Sequence, residues 1–475
     1  MDRYRHIIPD WEEFLRIINT PMPSTLRVNL LRITPRELRE RLEARGFQVE
    51  VASWCPYLFK VHGDVSLGTM FEFWLGYYYV QEATSLLAPL ALSPQPGERI
   101  LDICAAPGGK TTHIAMLMGN RGTIVANDLK AKRLRALMGN IYKHNVLNAL
   151  VVGYNGMFIP TPHERFDRAL VDVPCSAGGN VRKSPEQRMG ATVRYVRRIS
   201  GVQKGLLLKA IDLVKPGGVI VYSTCTFAPE ENEMVVQHAL RKRAVCLEPL
   251  RLDVPYAPGL AQWDGTSFHP DMHYCARIYP HHFDSGGGFV ARLRKVSDDA
   301  CAIEPPQPLR EPVATPADES SIKRLLEYLY ERFGIEPSAF NDLRFVADSN
   351  SIWVTCADAD WLFDYLRLTS VGLRIAHCMD ERFKPTSYAL MWLHKHITKS
   401  IIEVDTNTLR QLLLGQSVKM RCDCTRGYVA LAYRGEIIGC GFYTGDELRC
   451  EMPKGRRAGL LDVLRVEEPS KTAIL

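Results

Sequence analysis

The stretch Arg99-Ile100-Leu101-Asp102-Ile103-Cys104-Ala105-Ala106-Pro107-Gly108-Gly109-Lys110 runs from a short β-rich segment through a turn of small residues into a helix-length segment. In an open parallel sheet the ligand sits beyond the carboxyl ends of the strands, and small residues there let backbone approach it closely. Asp128 closes the next β-rich run, Gly122 to Asp128, where a carboxylate can accept two hydrogen bonds from a ribose diol. An adenosine-containing ligand is therefore expected. A phosphate-cradling loop ending at Gly109-Lys110-Thr111 would need glycine where Cys104 stands, and the G-x-G-x-x-G dinucleotide turn is absent. S-adenosyl-L-methionine is the favoured ligand.

Working outward, further β-rich runs at Ala149–Val152, Arg168–Asp172 and Val219–Ser223 alternate with helix-length segments, which predicts an α/β fold with a doubly wound, mostly parallel sheet. Lys215-Pro216-Gly217-Gly218 ends a long helix running up from about Ala191. Arg277-Ile278-Tyr279 and the run from Gly288 to Leu293, separated by a glycine-rich turn, predict an antiparallel pair closing the sheet. Residues 1–75 combine a helical Thr34–Arg45 segment with strand-like Thr25–Asn29 and Phe47–Val51, a small α/β accessory domain; residues 76–296 hold the chemistry. Pro305, Pro306, Pro308 and Pro312 mark a stiff linker over 297–321. A second unit, 322–475, resumes helical spacing at Leu325, Leu326 and Leu329. It ends in a hairpin pattern from Gly427 to Tyr443 around Arg434-Gly435, the signature of a β-barrel over about 400–475.

The 475 residues, 46% hydrophobic and 24% charged, fit a packed multidomain protein and exclude wholesale disorder. A net charge of +6 permits an RNA partner without demanding one. Thirteen scattered cysteines and no signal-peptide pattern after Met1 predict reduced thiols and a cytoplasmic location. No apolar run is long enough to span a bilayer. Cys422-x-Cys424 lacks a second ligand pair, so no metal site is expected, and a monomer is the expected state.

Two cysteines stand where strands end: Cys175 in Asp172-Val173-Pro174-Cys175 and Cys225 in Ser223-Thr224-Cys225-Thr226. Both should face the crevice that holds the cofactor. An aromatic cytosine carbon is too poor a nucleophile to take a methyl group directly, so a thiolate must first add to the neighbouring carbon. A second protic group must then help undo the adduct. Asp172 is placed to hydrogen-bond the cytosine ring nitrogen and exocyclic amine, stabilising the charge that develops.

Leu101 to Thr112, Asp172 to Ser176 and Tyr222 to Asn232, in this order, resemble the motifs of the Sun-family (RsmB/RsmF-type) RNA cytosine-5 methyltransferases. Pro21 to Asn29, Tyr79 to Ser85, and Arg277 to His282 with Gly288-Phe289 resemble its flanking signatures, so the likeness covers about residues 20–295. Gly427-Tyr428-Val429-Ala430 with Leu448 to Arg457 resembles the PUA-like tail of bacterial small-subunit rRNA members. The resemblance implies a Rossmann-like class I methyltransferase with a mostly parallel seven-stranded sheet, an N-terminal RNA-binding domain and a PUA-like C-terminal domain. It implies Cys225 as the nucleophile and Cys175 as the elimination partner. It assigns Cys104, Ala105, Ala106, Pro107, Gly108, Gly109, Lys110, Asp128, Arg133 and Asp172 to the cofactor. Asn155 stands where many members carry an acid and is expected to hydrogen-bond the adenine. The favoured substrate is 16S rRNA or the small ribosomal subunit; the rivals are the same chemistry on tRNA, a non-catalytic RNA-binding assembly factor, and a DNA methyltransferase attacking through Cys175.

Arg182, Lys183, Arg188, Arg194, Arg197, Arg198 and Lys204, with Tyr195 among them, follow the Pro-Cys loop. Phosphate contacts plus stacking there would lay single-stranded RNA over the site, with Lys130, Lys132 and Arg135 as a weaker second cluster. A cytosine inside a stem cannot reach such a crevice, so the target must be unpaired or flipped out.

Overall fold

The computed structural model describes residues 1–467 apart from 64, 161–164, 184–190, 299–314, 357, 359–362, 364 and 380–381. Its centre is a parallel array of five strands in the order Ala149–Val152, Thr123–Asn127, Arg99–Asp102, Phe166–Asp172 and Val214–Thr224. Alternate residues of each strand feed two cores. Leu101, Val125, Leu150, Ala169, Val171 and Ile220 pack on one face, and Ile100, Ile124, Val151, Leu170, Val219 and Val221 on the other. Burial on both faces is what allows these runs to be continuously apolar. The register sets Asp102 beside Ala126 and Asp172 beside Ser223, so the functional loops leave one edge of the sheet together.

The expected antiparallel pair is present: Gly288–Lys295 pairs with both Val214–Thr224 and Ala276–Ile278. The seven-stranded, mostly parallel expectation needs correction, however, because the sheet has ten strands and its five outer ones are antiparallel. Ala257–Pro258 and Val245–Glu248 extend one side. Leu368–Val371, from beyond the linker, covers the other by pairing with Ala149–Val152. These additions are two to four residues long, too short to carry a periodic signal.

The N-terminal unit is a four-stranded antiparallel sheet in the order Gln48–Val51, Leu58–His62, Thr25–Val28, Tyr78–Val80. Its last strand lies past the expected boundary at 75. Its helix Pro35–Glu43 starts from a capping box, Thr34 with Glu37, with proline at the first helical position. The first eighteen residues belong elsewhere: Tyr4, Ile8, Phe14 and Ile18 pack in the same core as Tyr222 and Phe227 of the large sheet.

The second unit begins earlier than the apolar pattern does. Asp318 caps the helix Glu319–Phe333 by accepting from the Ser321 N–H, and the polar first turn Glu319-Ser320-Ser321 hides the start. The four linker prolines lie outside the described residues. Two five-stranded sheets follow, Thr315–Pro316 to Arg382–Pro385 and Ile401–Glu403 to Glu447–Cys450. The hairpin Gly427–Tyr433 with Glu436–Tyr443 turns at Arg434 and Gly435, both with positive φ (53° and 74°). The second sheet's order ends at Ile401–Glu403 and Val418–Lys419, and no described pairing closes it.

Candidate active site

The turn after Arg99–Asp102 is drawn tight against its neighbours. Gly108 takes φ +109°, and a Cβ there would meet Leu137 Cδ1 at 3.0 Å, so this backbone lies directly on the helix Ala131–Lys143. Asn127 ties three loops together, donating to the Ile103 (3.0 Å) and Tyr154 (3.1 Å) carbonyls and accepting from the Tyr154 N–H (2.8 Å). Asp128 is buried and faces Arg133, nitrogen to carboxylate 3.1 Å, while Arg133 also donates to the Ala106 carbonyl. Asp102 accepts from Thr111 Oγ1 at 2.7 Å, but its Oδ1 is buried without a hydrogen bond. Burial pushes its carboxyl up to about 7, against the opposing Thr111 bond. Burial, followed by the fields of Asp102, Asp172 and Asp128, also drives the Cys104 thiol far up. Asn155 Oδ1 caps the next turn by accepting from the Met157 N–H at 3.2 Å.

Lys110 reaches past the turn. Its ammonium lies 2.6 Å from Asp172 Oδ2, and the other carboxylate oxygen accepts from Ser223 Oγ at 2.7 Å. Burial alone would lower the lysine's pKa; the charge and hydrogen bond of Asp172 outweigh that and leave it raised. Lys110, Asp172 and Cys225 line one cavity of about 190 Å³, with Glu82 and Thr84 from the end of the N-terminal unit and Lys183. The sequence groups Lys110 with the cofactor turn, and its charged end reaches from that turn into this cavity.

The two strand-end thiols meet. Cys175 Sγ and Cys225 Sγ are 3.0 Å apart, and Asn180 Nδ2 donates to Cys225 Sγ at 3.6 Å. The Cys175 S–H donated to Cys225 lowers the Cys225 pKa, with burial and Asp172 opposing and Lys110 assisting. The same contact, then burial, holds Cys175 well above an ordinary thiol. The contact thus favours ionisation at Cys225 over ionisation at Cys175.

The buried Glu231 that holds these loops is missed by the sequence reading. It accepts from the Ser176 N–H (2.9 Å), the Ser176 hydroxyl and Gln203 Nε2 (2.9 Å), while Gln203 also donates to the Pro174 carbonyl at 2.9 Å. Ser176 Oγ in turn lies 2.8 Å from Thr226 Oγ1, so one carboxylate clamps the Pro-Cys-Ser loop to the Thr-Cys-Thr loop. The acidic pair in Pro229-Glu230-Glu231-Asn232, five residues after a strand-end thiol, is the signal that could have found it. Glu82 acts similarly at the cavity mouth, accepting from the Thr84 N–H (2.9 Å) and the Gly286 N–H (2.8 Å).

The basic cluster divides. Arg182 is removed from it: its side chain is 1% exposed and donates to the Thr20, Pro21 and Ser285 carbonyls and to Asp284, so it pins loops rather than phosphates. Arg188 lies outside the described residues. Arg194, Tyr195, Arg197 and Arg198 are exposed on the helix Val193–Leu213, with Arg198 stacked 5.5 Å from the Tyr195 ring. Lys130, Lys132 and Arg135 are exposed on or beside the helix Ala131–Lys143.

The parallel sheet, the turn at its carboxyl edge and the thiols paired just beyond two of its strands, taken together with the matches to known proteins, define the class: an S-adenosyl-L-methionine-dependent RNA cytosine-5 methyltransferase. Residues 89–294 match the family model for 16S rRNA methyltransferase RsmB/F, and residues 1–83 the model for the N-terminal domain of 16S rRNA methyltransferase RsmF. The chain is 31% identical to Ribosomal RNA small subunit methyltransferase F of Shewanella loihica, over 93% of this chain and 91% of that protein. It belongs to the RsmB/F family. It is also 38% identical over 65% of its length to the 28S rRNA (cytosine-C(5))-methyltransferase of Mus musculus, of which it spans 40%. Among solved structures, a methyltransferase homolog from Pyrococcus horikoshii shares 34% identity at TM-score 0.55, covering 62% of this chain and 94% of that one. NSun6 of the same organism, solved with the S-adenosylmethionine analogue SFG, has the same fold at 24% identity and TM-score 0.56, covering 62% and 97%.

Proposed function

We propose that this chain methylates C5 of an unpaired cytosine in rRNA, small-subunit rRNA above other RNAs, with Cys225 as nucleophile and Cys175 as its partner in elimination. The single observation that carries this reading is the 3.0 Å approach of the two strand-end sulfurs. The turn fits the donor: Cys104 to Gly109 offers close backbone, Asp128 a buried carboxylate for the ribose diol, and Asp102 an unpartnered buried oxygen suited to an ammonium. When bound, S-adenosyl-L-methionine supplies an electrophilic methyl group.

The chain's own residues do the rest. The Cys225 thiolate adds to C6, and the C5–C6 π electrons move into the ring toward N3. Asp172 accepts from the exocyclic amine while the Lys110 ammonium beside it balances the ring's negative charge. Once C5 carries its methyl group, the C5 proton leaves to water, the C5–C6 double bond re-forms and the C6–S bond breaks. The departing Cys225 thiolate is received by the Cys175 S–H. Exposed Arg194, Arg197 and Arg198 guide the RNA backbone toward this site, and the last sheet, from Ile401 to Cys450, serves as a PUA-like RNA-holding unit.

Incubating the protein and donor with purified small-subunit rRNA, large-subunit rRNA and tRNA, followed by nucleoside mass spectrometry, tests the reading. 5-Methylcytidine is expected in small-subunit rRNA. Product confined to tRNA transfers the same chemistry to that substrate, and donor binding without any product defeats the enzymatic reading.

A further inference from the structure

A second cavity, of about 520 Å³, lies far down the chain and shares no lining residue with the first. It sits where the strands Leu373–Met379 and Arg382–Pro385 meet the helices Ser387–Trp392 and Lys454–Glu467. Four cations line it, Arg374, Lys384, Lys454 and Arg457, against one carboxylate, Glu451, which Lys384 already holds at 2.5 Å. Among the described residues, the guanidinium of neither Arg374 nor Arg457 makes a hydrogen bond or ion pair to the protein, and the Nε of each is buried without a partner. Arg374 is held in place by stacking, its Cζ 4.8 Å from the Trp353 ring centre. The half-buried Tyr388 adds an aromatic surface to the wall.

Unpaired arginines in the lining of a concave site call for an anion, and the planar guanidinium fork matches phosphate. The volume suits one nucleotide, and an aromatic wall suits a base of any identity. We propose that this cleft binds single-stranded RNA, one phosphodiester held by Arg374 and Arg457 with the adjoining base against Tyr388. The proposal rests on reading the chain as an RNA-modifying enzyme and adds an RNA contact remote from Cys225.

The test is fluorescence anisotropy with an unstructured, labelled RNA dodecamer, read across a salt series. Arg374→Gln/Arg457→Gln should weaken binding about tenfold and flatten the log–log salt slope by about 0.7, one phosphate contact's worth. Donor affinity and the melting temperature should stay unchanged, as should RNA binding by the control Lys323→Gln, on the remote helix Glu319–Phe333. If the double variant fails to fold, Lys454→Gln at the exposed mouth must still cost about threefold. Unchanged RNA affinity overturns the proposal, as does displacement of the RNA by inorganic phosphate at concentrations matching its own tight binding, which would mark a free-anion site. Lost RNA affinity beside absent methylation would defeat the proposed function and leave the cleft standing; unaltered affinity beside normal methylation would defeat the cleft alone.

Discussion

At the residue scale, the chemistry turns on where one proton resides. Two half-buried thiols 3.0 Å apart do not both ionise readily, because the second charge would face the first at contact distance. Asn180 and Lys110 both favour charge at Cys225, and Cys175 donates to it. The Cys225 pKa therefore lies below the ordinary thiol value of 9.0, and its thiolate fraction is lost only as pH falls through that lowered value. Iodoacetamide labelling followed by peptide mass spectrometry should show Cys225 alkylating with a midpoint below 9.0 and Cys175 resisting throughout. Cys175→Ala removes the largest lowering contribution, so the Cys225 midpoint should move up; Lys110→Met should move it the same way by a smaller amount. A midpoint unmoved by Cys175→Ala would mean that the sulfur contact does not set the charge.

At the scale of elements, the site is an agreement among loops. Glu231 bridges the loop after Phe166–Asp172 to the loop after Val214–Thr224, and its burial raises its own pKa against the Ser176 and Gln203 bonds that lower it. Glu231→Ala should leave donor affinity intact and cut kcat about a hundredfold, since misplacing reacting groups by an ångström costs that much. Glu231→Gln, which keeps one acceptor, should recover part of it. Steady-state kinetics beside isothermal titration of the donor check this, and a fall in donor affinity equal to the fall in kcat would contradict it. These loops also show what sequence can reveal. Pro107-Gly108-Gly109, Pro174-Cys175 and Thr224-Cys225 are legible because each ends an apolar strand with a residue whose chemistry or shape has few structural reasons to be there. Glu231 is less legible because a carboxylate after a turn resembles any surface acid until the fold buries it, and Arg182 misleads for the opposite reason, a surface-looking cation that becomes a loop clasp.

At the scale of the whole molecule, the catalytic sheet is completed by distant chain. Leu368–Val371 covers the edge strand Ala149–Val152, and Thr355 Oγ1 donates to the Leu147 carbonyl at 2.7 Å. Such pairings are invisible to local periodicity because four residues from one unit meet four from another more than two hundred positions away. The junction depends on Gly372, at φ +49°, where a Cβ would lie 2.2 Å from the Val354 carbonyl oxygen and 2.7 Å from that of Leu147. Gly372→Ala should therefore destabilise the chain by about 3 kcal/mol, seen as a lower urea midpoint, while donor affinity persists; an unchanged midpoint would show that the strand is not anchored there. It is the intact chain, acting on intact RNA, that must form the covalent bond to C6. Denaturing electrophoresis of the protein with labelled substrate RNA and donor tests this most directly. Cys175→Ala should accumulate a protein–RNA adduct whose crosslinked peptide contains Cys225, and Cys225→Ala should form none. An adduct that persists in Cys225→Ala, or one mapped to Cys175 in the otherwise unaltered chain, would contradict the assignment of the nucleophile.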